Sequence, residues 1–428
     1  MEIVIEGIQK IEGNISVPGD KSISHRALIL GGIAQGETLV HHFLHGRDCM
    51  NTMACMSALG VKIEEINSSF LRIKGVGLSG LKKPSGILDV GNSGTTIRLL
   101  TGLLSAQNFN TMIIGDDSIA KRPMKRVIQP LSLMGAKITG KNHNRFAPLS
   151  IIGAPLSAID YLLPVASAQV KSALLIAGLF ARGETVVSEP GISRDHTERM
   201  LELMQADIHL SPQTVRIKNG KELKGTEIMI PGDISSAAYF LAAAGAKKGS
   251  EIKIRDVGVN PTRIGIIEIL KKMGANICVS NEKVCSNEPR ADVKIEGTEL
   301  SGIAIDKEDV GKLIDELPLI AVLATQAHGK TIVSGAKELR VKETDRIIAI
   351  VTELDKMGAS ITEKEDGFEI NGPTVLKSAV CDTYHDHRMA MSLSVAALYA
   401  EGKTVIRGAE CVNISYPAFF NTLKKLCE

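Results

Sequence analysis

Two short tags alternate along this chain, and their fixed order constrains the fold more than any other feature. The first is a strand opened by Gly-x-Thr: Gly36-Glu37-Thr38-Leu39-Val40, Gly183-Glu184-Thr185-Val186-Val187, Gly329-Lys330-Thr331-Ile332-Val333 and Gly402-Lys403-Thr404-Val405-Ile406. Looser copies are Asn110-Thr111-Met112-Ile113-Ile114 and Gly249-Ser250-Glu251-Ile252-Lys253. The second tag is a helix end running into a strand: Ala58-Leu59-Gly60-Val61, Met134-Gly135-Ala136-Lys137, Met204-Gln205-Ala206-Asp207, Met273-Gly274-Ala275-Asn276 and Met357-Gly358-Ala359-Ser360. Copies recur roughly every 65–80 residues, so the chain reads as about six units. Each unit carries a small-residue-rich helix that is apolar nearly all round, which predicts burial. These helices start near Ser22, Gly94, Ser167, Ser235, Ile314 and His387. Second helices start near Asp48, Arg122, Arg194, Pro261, Glu343 and Tyr416; they are amphipathic and predict an outer layer.

A longer motif splits the six units into three plus three. Val17-Pro18-Gly19-Asp20-Lys21-Ser22 recurs as Ile230-Pro231-Gly232-Asp233-Ile234-Ser235, each time before a buried helix. A Pro-Gly turn followed by an Asp cap is a way to launch a helix. The chain therefore reads as two similar α/β domains, 15–230 and 1–14 plus 231–428, with the N-terminal strand pairing into the second and two crossovers between them.

Composition narrows the partners. Lys plus Arg number 50 against 48 Asp plus Glu, too balanced for a general nucleic-acid or membrane binder. Aromatics are 3% and Trp is absent, leaving few platforms for stacking bases. The seven cysteines show no zinc-ligand spacing and fit free thiols in a reducing cytoplasm. The N-terminus alternates like a strand rather than a signal peptide, and no apolar run reaches the roughly 18 residues of a membrane span.

Charge is concentrated at helix openings. Lys21, Ser22 and Arg26 put two cations and a hydroxyl at a helix N-terminus, where backbone N–H groups already favour an anion. The second copy of the motif has Ile234 in place of Lys21, so the shared residues read as structural and Lys21 and Arg26 as functional. Asn92-Ser93-Gly94-Thr95-Thr96-Ile97-Arg98 offers glycine and hydroxyls to an anion, or simply a capping turn. Ser167-Ala168-Gln169-Val170-Lys171 places polar groups in a helix too apolar to hold them without partners. Asp315-Glu316 either cap the run Leu317–Val322 or supply a base. Arg194-Asp195-His196-Thr197-Glu198 and Arg340-Val341-Lys342-Glu343-Thr344-Asp345-Arg346 read equally as exposed charged turns. His385 and His387 invite a metal, but no further ligand cluster accompanies them. Taken together, these helix openings predict one site for a small polyanion between two domains.

The motifs PGDKSISHR, GNSGTTIR, RPM at Arg122, SAQVK, SRDHTE, RVKETDR and DHRMAM occur in an order that closely resembles the 5-enolpyruvylshikimate-3-phosphate synthase family. SAQVK and RDHTE resemble its second (class II) bacterial subgroup, many of whose members tolerate glyphosate. The resemblance implies two domains of three βαβαββ units each, an inside-out α/β barrel-like arrangement known as the enolpyruvyl transferase fold, with the active site in the interdomain cleft. It implies transfer of the enolpyruvyl group of phosphoenolpyruvate to the 5-hydroxyl of shikimate 3-phosphate, releasing phosphate through a tetrahedral intermediate. No metal, cofactor, nucleic acid or membrane is implied, and a cytoplasmic monomer is expected. By similarity, Lys21, Ser22, Arg26, Ser167, Ala168, Gln169, Arg194, Asp315 and Lys342 would hold shikimate 3-phosphate. Lys21, Gly94, Arg122, Gln169, Arg346 and Arg388 would hold phosphoenolpyruvate. Asp315 would take the hydroxyl proton, and Glu343 with Lys21 would protonate the methylene carbon.

Three positions depart from the other subgroup. Arg194 stands in place of a Tyr, Ala168 in place of a second Ser, and Asn413-Ile414-Ser415 lacks a Lys. The same fold serves UDP-N-acetylglucosamine enolpyruvyl transferase, which typically shows Lys-Asn where Lys21-Ser22 stand. A catalytically inactive anion-binding protein is the reading from a different class; Lys21, Asp315 and Glu343 together argue against it.

Overall fold

Every Gly-x-Thr strand occupies the same place in its sheet, and the reason is visible in its cross-strand partner. In the computed structural model, which describes residues 1–427, Thr38 pairs with Ile73, Thr111 with Ile151 and Thr185 with Ile217. Thr331 pairs with Ile370 and Thr404 with Ile5, while the looser fourth copy pairs Ile252 with Ile295. Each pair is a β-branched residue against Ile on the buried face, which suits the pleated surface. The five threonine hydroxyls are buried and have no hydrogen-bond partner among the described residues. Their methyl and shape, rather than their polarity, therefore fit the frame.

Around each central strand the topology repeats. One side carries a short parallel strand and the other an antiparallel strand, giving five four-stranded sheets and one of three strands among the described residues. The two copies of the Pro-Gly-Asp motif mark an exchange. The strand before the first, Glu12–Ile15, pairs in parallel with Glu251–Gly258. The strand before the second, Glu227–Met229, pairs in parallel with Gln35–His41. The three-stranded sheet is completed by Glu2–Glu6, antiparallel to Lys403–Arg407.

The chain divides into two units. The first is Gly19–Ile230 with the short segment Val284–Glu288; the second is Met1–Pro18, Pro231–Lys283 and Pro289–Glu428. This differs from the sequence expectation in two places. Residues 15–18 go with the second unit, because the chain crosses after Pro18. The hairpin formed by Asn276–Cys285 and Glu288–Glu296 contributes its tip to the first unit, where Arg199 donates to the Asn287 carbonyl at 2.9 Å.

Among the described residues, twelve helices of eight residues or more follow the repeat. In the first unit they are α1 (Lys21–Gly32), α2 (Arg47–Ala58), α3 (Gly94–Ser105), α4 (Lys125–Leu133), α5 (Ala168–Gly178) and α6 (His196–Leu203). In the second they are α7 (Ile234–Gly245), α8 (Gly265–Lys272), α9 (Leu317–Ala324), α10 (Arg346–Lys356), α11 (His387–Tyr399) and α12 (Phe419–Cys427). Odd-numbered helices are inner: all of α7 and α9 is buried. Even-numbered helices are amphipathic, burying one stripe, as α10 does with Ile347, Ala349, Ile350 and Leu354. Caps fix the inner starts. Asp20 accepts from the Ile23 N–H at 2.9 Å, and Asp386 from the Arg388 N–H at 2.8 Å; such a cap contributes about 1 kcal/mol. Several outer helices begin later than the sequence predicts. Arg122, Arg194 and Glu343 lie in the turns before α4, α6 and α10 rather than within them.

Candidate active site

The predicted residues of the first unit sit at the openings of α1, α3 and α5 and in the turns before α4 and α6. Lys21 Nζ lies 3.0 Å from Asp48 Oδ2 in the first turn of α2. Each nitrogen of the Arg26 guanidinium donates to an uncharged oxygen. Nε reaches Thr197 Oγ1 at 2.6 Å, Nη1 the Ser22 carbonyl at 2.9 Å and Nη2 Ser172 Oγ at 2.8 Å. Ser172 Oγ also donates to the Ala168 carbonyl at 2.6 Å, tying α5 into the same cradle. Burial pushes Arg26 down to about 10, with Glu198 and Asp20 opposing and Arg194 adding to the fall. That still leaves it protonated at neutral pH.

Gln169 bridges to α3. Its Oε1 accepts from Arg98 Nη1 at 2.6 Å, and its Nε2 donates to Thr95 Oγ1 at 3.1 Å. Arg98 Nη1 also donates to the Gly94 carbonyl at 3.2 Å. The space over Gly94 is taken by cations: a Cβ there would lie 2.5 Å from Arg122 Nη1 and 2.9 Å from Arg98 Nη1. Glycine at 94 thus lets two guanidiniums come down onto a helix N-terminus. Ser167 is the N-cap residue of α5, yet its hydroxyl makes no capping bond.

His25 belongs to a buried chain behind these groups. Its Nδ1 is 2.7 Å from Thr52 Oγ1, which is 2.6 Å from Thr96 Oγ1, which donates to Ser93 Oγ at 2.6 Å. Burial, with Lys21 and Arg26 nearby, holds the imidazole well below its ordinary range. It joins α1, α2 and α3 as a neutral core residue.

The second unit builds its group around one guanidinium. Arg346, at the start of α10, is 1% exposed. Its Nε is 2.7 Å from Asp386 Oδ2, its Nη1 3.2 Å from Asp315 Oδ1 and its Nη2 2.6 Å from Glu343 Oε2. Burial alone would lower its pKa, but Asp386, Glu343 and Asp315 raise it above the ordinary arginine range. Lys342 Nζ approaches Asp315 Oδ1 at 3.9 Å, and Arg388 Nη2 approaches Asp315 Oδ2 at 3.5 Å. Asp315 and Glu316 do not cap α9 with their side chains. Glu316 is buried instead, accepting from Ser235 Oγ and lying 3.5 Å from Arg388 Nη1. This arrangement presents two carboxylates, Asp315 and Glu343, on one rigid cation with an ammonium alongside, a layout suited to proton transfer.

Asp315, Lys342, Glu343, Arg346 and Arg388 are therefore brought together in the second unit. Lys21, Ser22, Arg26, Gly94, Arg122, Ser167, Ala168, Gln169 and Arg194 all belong to the first. Sequence reasoning did not assign Asp386, Asp48 and Arg98 to the site. Asp386 carries a signal in retrospect, an Asp directly before a buried helix, but its second duty under Arg346 depends on a residue 40 positions away. His387 is buried within α11, and among the described residues no group of three or more His, Cys, Asp or Glu side chains could hold a metal ion.

Comparison with known proteins converges on one family. A sequence model of EPSP synthase (3-phosphoshikimate 1-carboxyvinyltransferase) matches residues 5–423. The chain is 51% identical to the 3-phosphoshikimate 1-carboxyvinyltransferase of Desulforamulus reducens, covering 100% of this chain and 99% of that one. It is 50% identical to a Bacillus cereus protein of the same name, over 98% of this chain and 97% of that one. A solved EPSP synthase from Acinetobacter baumannii superposes with a TM-score of 0.88 at 44% identity, covering 99% of this chain and 98% of that one. With inner-helix openings rich in cations in one unit and a carboxylate–guanidinium group in the other, this chain belongs to the EPSP synthase family.

Proposed function

We propose that this protein transfers the enolpyruvyl group of phosphoenolpyruvate to the 5-hydroxyl of shikimate 3-phosphate and releases phosphate. The observation that carries the reading is the holding of Asp315 and Glu343 on the single guanidinium of Arg346, with Lys342 beside them. Asp315 takes the proton of the 5-hydroxyl as its oxygen bonds to C2 of phosphoenolpyruvate. Glu343, with Lys21, delivers a proton to the methylene carbon, giving a tetrahedral intermediate. In the second half the methyl carbon returns a proton to Glu343, the C2–O bond to phosphate breaks, and the departing phosphate takes up the proton held by Asp315. Lys21, Ser22, Arg26, Ser167, Ala168, Gln169, Arg194, Asp315 and Lys342 hold shikimate 3-phosphate. Lys21, Gly94, Arg122, Gln169, Arg346 and Arg388 hold phosphoenolpyruvate. Two polyanions repel, and preorganised cations in a water-poor site offset that repulsion. Planar guanidinium forks suit the carboxylates and phosphates.

The seven cysteines, none of them in a disulfide, support a reducing, cytoplasmic setting; we read the protein as a monomer, and among the described residues no helix is long and apolar enough to cross a membrane. The test is phosphate release on mixing shikimate 3-phosphate with phosphoenolpyruvate, with the product identified by mass. Release that depends on both substrates is expected; none at saturating concentrations of both would sink the reading.

A further inference from the structure

Lys171 is a buried lysine that the reaction does not use, and its surroundings are unusual. It is 3% exposed on the second turn of α5, with Nζ 2.6 Å from Glu189 Oε1 and 2.7 Å from Glu198 Oε1. Burial works against its charge, but Glu198 and Glu189 outweigh burial and raise its pKa. Glu189 turns its other oxygen to Ser193, whose hydroxyl donates at 2.6 Å. Two carboxylates for one cation is more than local neutrality requires.

The reason lies one residue away on each strand of this contact. Ser172 follows Lys171 and Thr197 precedes Glu198; their hydroxyl oxygens are 2.6 Å apart, and both accept from Arg26. The ion pair Lys171–Glu198 thus runs beside the hydroxyl pair that cradles Arg26. Glu198 is also the carboxylate with the largest electrostatic effect on Arg26, yet Arg26 donates only to uncharged oxygens. Glu198 is 2% exposed, so water cannot satisfy it. Without Lys171, Glu198 is left to take up a proton, the direction in which burial already pushes it, or to draw on the charge of Arg26, on which it acts more strongly than any other carboxylate.

We infer that Lys171 is a positioning residue that occupies Glu198 and Glu189, so that the charge of Arg26 stays available to an anionic group of shikimate 3-phosphate. This rests on the reading of Arg26 as a ligand of that substrate. Lys171 also anchors the 189–195 loop through Glu189 and Ser193, next to Arg194 in sequence. Removing it leaves a buried acid and a buried arginine free to pair with each other, which is strongly favoured where water is excluded.

Calorimetric titration of the full-length protein with shikimate 3-phosphate tests this. Lys171→Met is expected to weaken binding by about tenfold or more, the size of one lost charge-assisted contact. The KM for phosphoenolpyruvate should stay within about threefold, because a single lost contact is being tested. Lys171→Met combined with Glu198→Gln removes the competing acid and should restore affinity to within about threefold of wild type. A role in stability alone predicts lowered Tm with binding unchanged below it, and no recovery of affinity in the double variant. Either result overturns the inference. If Lys171→Met does not fold, the double variant decides: near-wild-type binding supports the inference, and a loss of about tenfold or more overturns it. Wild-type protein that fails to bind shikimate 3-phosphate would instead overturn the functional reading on which the inference rests.

Discussion

Arg26 and Arg346 are both buried and both at the heart of their groups, yet they are held in opposite ways. Arg26 rests on two hydroxyls and a carbonyl, and burial lowers its pKa. Arg346 rests on Asp315, Glu343 and Asp386, which raise it. A guanidinium on neutral acceptors keeps its field for a ligand, whereas one on carboxylates spends that field on its own neighbours. The first arrangement leaves a cation able to attract an anion; the second fixes three carboxylates around one cation. The difference teaches that counting cations in a sequence does not measure a site's pull on an anion; what each cation already touches decides it.

The sharpest way to break this contrast is Glu343→Gln. A carboxylate that moves protons contributes roughly 10²–10⁴-fold, so kcat should fall by that factor while shikimate 3-phosphate binding barely changes. Near-normal turnover would reduce Glu343 to a tether for Arg346. A comparison of stabilities comes next. Asp386→Ala strips a buried carboxylate from a buried guanidinium and should cost about 3–5 kcal/mol in urea unfolding. Ser172→Ala removes one neutral acceptor from Arg26 and should cost about 1–3 kcal/mol. Equal losses would show that the two arginines are held alike. The smallest effect concerns acid. Folding keeps His25 neutral, while the unfolded chain takes up a proton there below about pH 6.5. The unfolded state then binds more protons, so stability falls as pH drops below that point, by up to about 1.4 kcal/mol per unit from this group. His25→Gln should flatten that part of the slope.

Much of this was readable in the chain. The Gly-x-Thr and Gly-Ala tags located the strands and helices because each repeat solves the same local packing problem with the same residues. Asp20 and Asp233 announced inner helices by capping chemistry. What stayed hidden depends on long-range pairing. The Val284–Glu288 tip joins the first unit through contacts such as His196 Nδ1 to Glu288 Oε1 at 2.7 Å, with nothing local to mark it. Lys171 looked costly without partners, and its two glutamates lie 18 and 27 positions on. Nothing next to Gly94 in the sequence shows that Arg122, 28 positions on, comes down over it beside Arg98.

The pairing of Glu2–Glu6 with Lys403–Arg407 has a consequence for how the chain is made. A ribosome adds roughly 5–20 residues per second, so the early strand waits on the order of tens of seconds for its partner. The stretch Gly19–Ile230, by contrast, is continuous and can settle as it emerges, its own Glu227–Met229 strand arriving to close it. Until their partners emerge, Glu2–Glu6 and Glu12–Ile15 are unpaired strand edges, open to chaperones or to another chain. Joining residue 428 to residue 1 through a linker and reopening the chain near the second Pro-Gly-Asp turn would put each unit's long segments in one run. Such a permuted chain should aggregate less during synthesis and refold faster after dilution from urea.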